Sequence, residues 1–140
     1  MSYLIDTCVL SEAMKPEPNQ QVVDWLLNTK ESSMFISVLT IGELRKGIER
    51  LAISKRRVEL EVWFEEVYSW QRDHVLSFDK VAAKLWGEIK ADTEASGKNI
   101  ALIDSMIAAT ALSNNLMLVT RNVKDFSMLN NLVILNPWDN

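Results

Sequence analysis

The chain holds one cysteine, Cys8, and one histidine, His74, in 140 residues. A single thiol excludes an intrachain disulfide framework and a cysteine-rich zinc site, which agrees with a reducing compartment. We read Cys8, beside a buried strand, as a packing residue and not a nucleophile. A single imidazole excludes a ribonuclease built on two histidines, and a Ser–His or Cys–His hydrolase would rest on His74 alone, in a stretch that reads as exposed. No apolar run approaches the roughly 20 residues that span a bilayer, and the N-terminus has neither the basic start nor the small-residue cleavage site of a signal peptide. We therefore expect a cytoplasmic protein without membrane contact. Positive charge is also scarce: 15 Lys and Arg against 19 Asp and Glu leave a net −4. That argues against coating nucleic acid by bulk electrostatics, but not against contact through a bound cation.

What is present is ordinary globular usage, 48% hydrophobic and 24% charged, in a length that suits one domain over 1–140. Tyr3-Leu4-Ile5, Met34-Phe35-Ile36, Leu116 to Val119 and Leu132 to Leu135 are short apolar runs without polar alternation, as in strands buried on both faces. His74-Val75-Leu76 is a fifth, briefer candidate. Between them lie helical patterns. Thr7 to Met14 is halted by Lys15-Pro16-Glu17-Pro18. Asn19 caps a helix whose Val22, Val23, Trp25, Leu26 and Leu27 should be core. Ser37 caps a helix running to Leu51, and Leu60, Trp63, Phe64 and Val67 share one face of a helix over Lys55–Trp70. Asp79 caps a helix that stops at Gly97, and Ile100 to Leu112 is apolar nearly all round. This alternation predicts a three-layer α/β/α sandwich around a short, mainly parallel sheet.

Four acids stand out against that frame. Asp6 ends the first strand, where open α/β sheets bind ligands, although an Asp before a short helix also serves as an N-cap. Glu43 flanks the apolar face of its helix; Thr40-x-x-Glu43 equally fits a capping box. Nearby Gly42 and Gly47 are costly in a helix interior, by roughly 1 kcal/mol each, so close packing or close ligand approach should account for them. Asp104 is the one charge in the apolar Ile100–Leu112 segment, and acids are rarely buried unless paired or metal-bound. Asp125 follows the strand that ends at Thr120, Arg121 and Asn122, where a helix cap is the competing reading. Six basic residues between Arg45 and Arg57 could face phosphate, but a solvated helix face is the preferred reading.

Carboxylates gathered at one sheet edge repel unless a cation neutralises them, and hard oxygen donors without His or Cys select Mg²⁺ or Mn²⁺. Such a cation, bound also to phosphate oxygens, is the arrangement for cutting a phosphodiester. The motifs Leu4-Ile5-Asp6-Thr7, Ile36 to Leu44 with Gly47, Asp104 with Ile107-Ala108-Ala109-Thr110-Ala111, Val119-Thr120-Arg121-Asn122 and Asn136-Pro137-Trp138 resemble, in order and spacing, the PIN-domain toxins of the VapC and FitB kind. The resemblance covers essentially the whole chain. It implies a metal-dependent endoribonuclease toxin, usually dimeric, inhibited by a cognate antitoxin that alone contacts operator DNA. It further implies Asp6 and Asp104 as the main Mg²⁺ ligands, with Mn²⁺ able to substitute, Glu43 as the third acid, and tRNA or another structured RNA as substrate. Thr7, Thr120, Arg121 and Asn122 would position that substrate. Cys8 stands where the family commonly has Asn. Asn122 stands where many relatives place a fourth acid, leaving Asp125, three residues on, as the alternative.

Two rival readings belong to other classes. A non-catalytic binding module would keep the fold and the antitoxin while its acids are vestigial; the missing acid at Asn122 favours it and the other three oppose it. An aspartyl phosphotransferase fails because Asp6-Thr7-Cys8 lacks the second Asp two residues on.

Overall fold

The structure is a computed structural model that describes residues 1–70 and 72–139. Its frame is a five-stranded sheet in the order β3-β2-β1-β4-β5: β1 Tyr3–Ile5, β2 Met34–Ser37, β3 Val75–Leu76, β4 Met117–Val119 and β5 Ile134–Leu135, with every neighbouring pair parallel. The helices are α1 Thr7–Ala13, α2 Gln20–Asn28, α3 Val38–Glu49, α4 Lys55–Tyr68, α5 Lys80–Ala95, α6 Leu102–Ser113 and α7 Val123–Phe126. Parallel neighbours need crossovers, and the helices supply them.

Side chains alternate across the pleat, so adjacent residues of β1 feed different cores. Leu4 packs in a cluster with Ile107, Ala108 and Ala111 of α6 and Phe126 of α7, whereas Ile5 packs with Val9 of α1 and Val22 of α2. Helices thus cover both faces, giving the expected three layers. The small residues of α6 let it lie close against the sheet and α5. The two helices are also tied by Trp86 Nε1 donating to buried Ser105 Oγ at 2.9 Å.

The strand order places the site. From central β1 the sheet grows through β2 and β3 on one side and through β4 and β5 on the other. The crevice of such a sheet opens outside the C-terminal ends of the strands where the order reverses, here β1 and β4.

Asn19, Ser37 and Asp79 cap their helices as expected, and Ser54, not foreseen, caps α4. Asn19 accepts from Gln21 and Val22 N–H, Ser37 from Leu39, Ser54 from Arg57 and Asp79 from Ala82. Gly97 closes α5 with φ +70°, the left-handed conformation that glycine adopts freely.

Several expectations need correction. Leu27 is not core; it lies 78% exposed near the end of α2. Thr40-x-x-Glu43 is not a capping box, because α3 already begins at Val38 under the Ser37 cap, and buried Thr40 Oγ1 has no partner among the described residues. A Cβ on Gly42 or Gly47 would meet nothing within 4 Å, so close packing does not account for either glycine. His74 is half-buried: Nδ1 lies 2.7 Å from the Met34 carbonyl, and the ring stacks on Phe35 and tilts against Trp70. In the basic segment Lys46, Arg50 and Lys55 lie exposed, as on a solvated face, while the three other residues are structural. Arg45 and Arg57 pair with Glu49 and Glu61, tying α3 to α4, and Arg56 donates to the Met14 carbonyl.

Candidate active site

Asp6 stands one residue beyond β1, and its N–H still donates to the Val119 carbonyl at 2.9 Å, so the ladder to β4 fixes its backbone. The side chain is 5% exposed. Oδ1 accepts from Thr7 N–H at 2.9 Å, which makes Asp6 the cap of α1 as well as a strand-end acid. Oδ2 accepts from the Thr120 hydroxyl at 2.8 Å and from the Cys8 thiol at 3.8 Å. Burial pushes the Asp6 carboxyl above its ordinary range, and these hydrogen bonds pull it back only in part. Cys8 is therefore more than packing. Its sulfur also lies 3.6 Å from Thr120 Oγ1 and accepts from Arg121 N–H at 3.5 Å, while burial and then the Asp6 charge hold it as the thiol.

Glu43 projects from the second turn of α3, where Thr7 Oγ1 donates to its Oε1 at 2.6 Å. Thr7 thus ties two acids together, its amide holding Asp6 and its hydroxyl holding Glu43. Glu43 also lines a groove of about 160 Å³ with Ser11, Met14, Gly47 and Trp63.

Asp104 is the third residue of α6, inside the first turn and not its cap. Negative charge is favoured there by the helix dipole. Even so, its carboxyl is pushed up to about 6, first by burial and then by the charges of Asp6, Asp125 and Glu43. Its carboxylate accepts no hydrogen bond from the described residues. Asp125, exposed in the first turn of α7, has the same standing; its amide bonds to the Asn122 carbonyl, and its side chain caps nothing. Asn122 is the residue before α7, with no side-chain capping bond, and its N–H donates to Thr120 Oγ1 at 3.1 Å.

The fold therefore brings Asp6, Glu43 and Asp125 within electrostatic reach of Asp104, with Thr7 and Thr120 as the hydroxyls that orient Glu43 and Asp6. Among the described residues, no three His, Cys, Asp or Glu side chains are disposed to hold one metal ion together. The donor chemistry fits a hard cation held by fewer: Mg²⁺ binds through one or two carboxylates and keeps its waters. Of the four acids, Asp6 is buried and Asp104 partly so, and the charge of Asp6 is the first of those that raise the Asp104 carboxyl.

Sequence reasoning missed Glu12. It is buried on α1 three residues after buried Val9, accepts from Asn19 N–H at 2.9 Å and pairs with Lys15 at 2.9 Å, latching the loop between α1 and α2. The signal was available: an acid at helical spacing from a core position, as at Asp104. Trp138 was noted only as part of the closing motif, yet the Arg121 guanidinium lies 5.2 Å over its ring.

The PIN domain family model matches residues 3–130. The chain is 33% identical to Toxin FitB of Neisseria gonorrhoeae, covering 96% of this chain and 97% of that one. It is 34% identical to the VapC ribonuclease Y4jK of Sinorhizobium fredii, covering 97% of each. A crystal structure of FitAcB from Neisseria gonorrhoeae superposes with a TM-score of 0.87 at 32% identity, covering 99% of both chains.

Proposed function

The chain belongs to the PIN-domain family, and on that premise we propose that it is the endoribonuclease toxin of a toxin–antitoxin pair, cutting RNA phosphodiester bonds at the edge formed by β1 and β4. The observation that carries this reading is Asp104: a carboxyl raised to about 6 by burial and by three other acids, delivered by separate elements. Structural ion pairs lower carboxyl pKa values, whereas burial among like charges raises one, and a bound cation would relieve that repulsion.

Asp6 and Asp104 would hold Mg²⁺, or Mn²⁺ in its place, with Glu43 and Asp125 around them. When bound, the cation supplies Lewis-acid stabilisation of the phosphate and a water acidic enough to attack at neutral pH. The protein's part is positional. Thr120 and Thr7 N–H fix both oxygens of Asp6, and the Thr7 hydroxyl fixes Glu43 beside it. Asp125 and Asn122, at the rim, complete the set of oxygens, Asn122 without charge. Unpaired nucleotides of tRNA or another structured RNA suit an open acidic edge of this kind.

On this reading 1–140 is one domain, working in the cytoplasm as a homodimer. The partner is the cognate antitoxin, and operator DNA is reached only through it. Among the described residues, no helix is long and apolar enough to cross a membrane.

The test is Mg²⁺-dependent cleavage of a mixed RNA pool by purified, antitoxin-free protein, with the ends of the products sequenced beside an Asp6→Ala control. Cleavage should vanish in Asp6→Ala and in excess EDTA. Persistence in either would overturn the metal mechanism, and no cleavage of any RNA by the wild type would leave a binding module.

A further inference from the structure

Arg121 follows Thr120 at the end of β4, and its backbone is anchored where its N–H meets the Cys8 sulfur at 3.5 Å. The exposed guanidinium has a fixed seat, 5.2 Å over the ring of Trp138. That ring packs against the cluster of Ile5, Val9 and Val119, and Trp138 N–H is held by Asn136 Oδ1 at 3.0 Å. A solvated surface arginine needs no such support. Cys8, which accepts the Arg121 N–H, and Glu12, on which the guanidinium charge acts least of the groups that shift it, both belong to α1. The guanidinium therefore lies on the α1 side of the site, beside the acids but not spent on them. Among the described residues it makes no ion pair.

An acidic edge repels the phosphates that flank a cleavage point, and a cation within the cluster can answer for one of them only. A neighbouring phosphate needs its own positive group, and guanidinium binds phosphate bidentately while lying flat on an aromatic ring. The same stack offers a plane to an unpaired base. We propose that Arg121, seated on Trp138, is a positioning residue that binds the phosphate of a single-stranded RNA nucleotide flanking the scissile bond. The proposal rests on the ribonuclease reading and adds to it the direction in which the substrate strand leaves the acids, past Cys8 and over Trp138.

The test measures binding of a labelled single-stranded RNA of mixed sequence to antitoxin-free protein across a salt series, with Ca²⁺ replacing Mg²⁺ to suppress turnover. Arg121→Gln should weaken binding about tenfold, and its salt slope should fall by about 0.7, the loss of one phosphate contact on a single strand. Arg121→Lys should restore the slope but only part of the affinity, and Trp138→Phe should stay within about threefold of wild type because its ring still seats the guanidinium. In the cleavage assay Arg121→Gln should raise KM more than it lowers kcat. If Arg121→Gln melts early, the Lys variant decides: wild-type affinity in a folded Arg121→Lys would overturn the bidentate phosphate contact. Wild-type affinity and slope in Arg121→Gln would overturn the proposal while leaving the ribonuclease reading intact; a wild type that binds no RNA would overturn both. Weakened antitoxin capture with unchanged RNA binding would assign the pair to a protein interface and also overturn it.

Discussion

The Thr120 hydroxyl donates to Asp6 Oδ2 at 2.8 Å across 114 positions of sequence, and both groups are buried. This bond joins the ends of β1 and β4 at the point where the sheet reverses its order, so the most buried acid of the site is held by the sheet itself. Thr120→Val should leave Asp6 short of a donor and cost about 1–3 kcal/mol of stability, whereas Thr120→Ser should cost much less. Thermal melts should show that ranking. Equal melting temperatures for the Val and Ser variants would mean that the bond contributes little.

Metal dependence has a readout apart from activity. A cation that binds only the native state stabilises it by mass action, by about 2.7 kcal/mol at a hundredfold excess over Kd. The melting temperature should therefore rise with millimolar Mg²⁺ or Mn²⁺, and Asp104→Asn should reduce the rise. A wild type indifferent to Mn²⁺ would speak against Asp6 and Asp104 as ligands.

The pH dependence of the metal-free protein follows from Asp104. Its folded carboxyl sits at about 6 against an ordinary value of 3.8, so the folded state binds the proton more tightly than the unfolded one. That contribution to stability is fully present below about pH 4 and is lost as pH rises through 6. Because the side chain is partly solvated, the loss should be on the order of 1 kcal/mol. Asp104→Asn should flatten this part of the stability profile in EDTA. A wild-type profile that rises between pH 5 and 7, with Asp104→Asn tracking it, would refute the assignment.

Asn122 and Asp125 separate charge from position at the rim. Asn122→Asp should strengthen cation binding and keep or raise cleavage, since it adds a carboxylate where the backbone already donates to Thr120. Asp125→Ala should lower cleavage less than Asp6→Ala, because Asp125 is exposed and reaches the site mainly through its charge on Asp104. Antitoxin binding should survive both. Cleavage rates beside antitoxin pull-downs check all three statements, and an Asp125→Ala variant as dead as Asp6→Ala would make Asp125 a ligand in its own right.

What could be read from the sequence is what depends on local pattern. Apolar runs without alternation marked the parallel strands, caps at Asn19, Ser37 and Asp79 set helix starts, and an acid inside an apolar helix singled out Asp104. Each is decided by burial and backbone chemistry within a few residues. Whether Asp6 meets Thr120, whether Thr7 joins Asp6 to Glu43, and whether Arg121 lies on Trp138 depend on strand order and crossover, which bring together groups more than 100 positions apart as readily as neighbours. The same reason explains the failures: exposure of Leu27, the stacked seat of His74 and the pairing of Arg45 and Arg57 across α3 and α4 all depend on what packs opposite, and local spacing carries no record of that. Sequence thus determined which side chains could do the chemistry, and the reversal of strand order at β1 decided which of them share an edge.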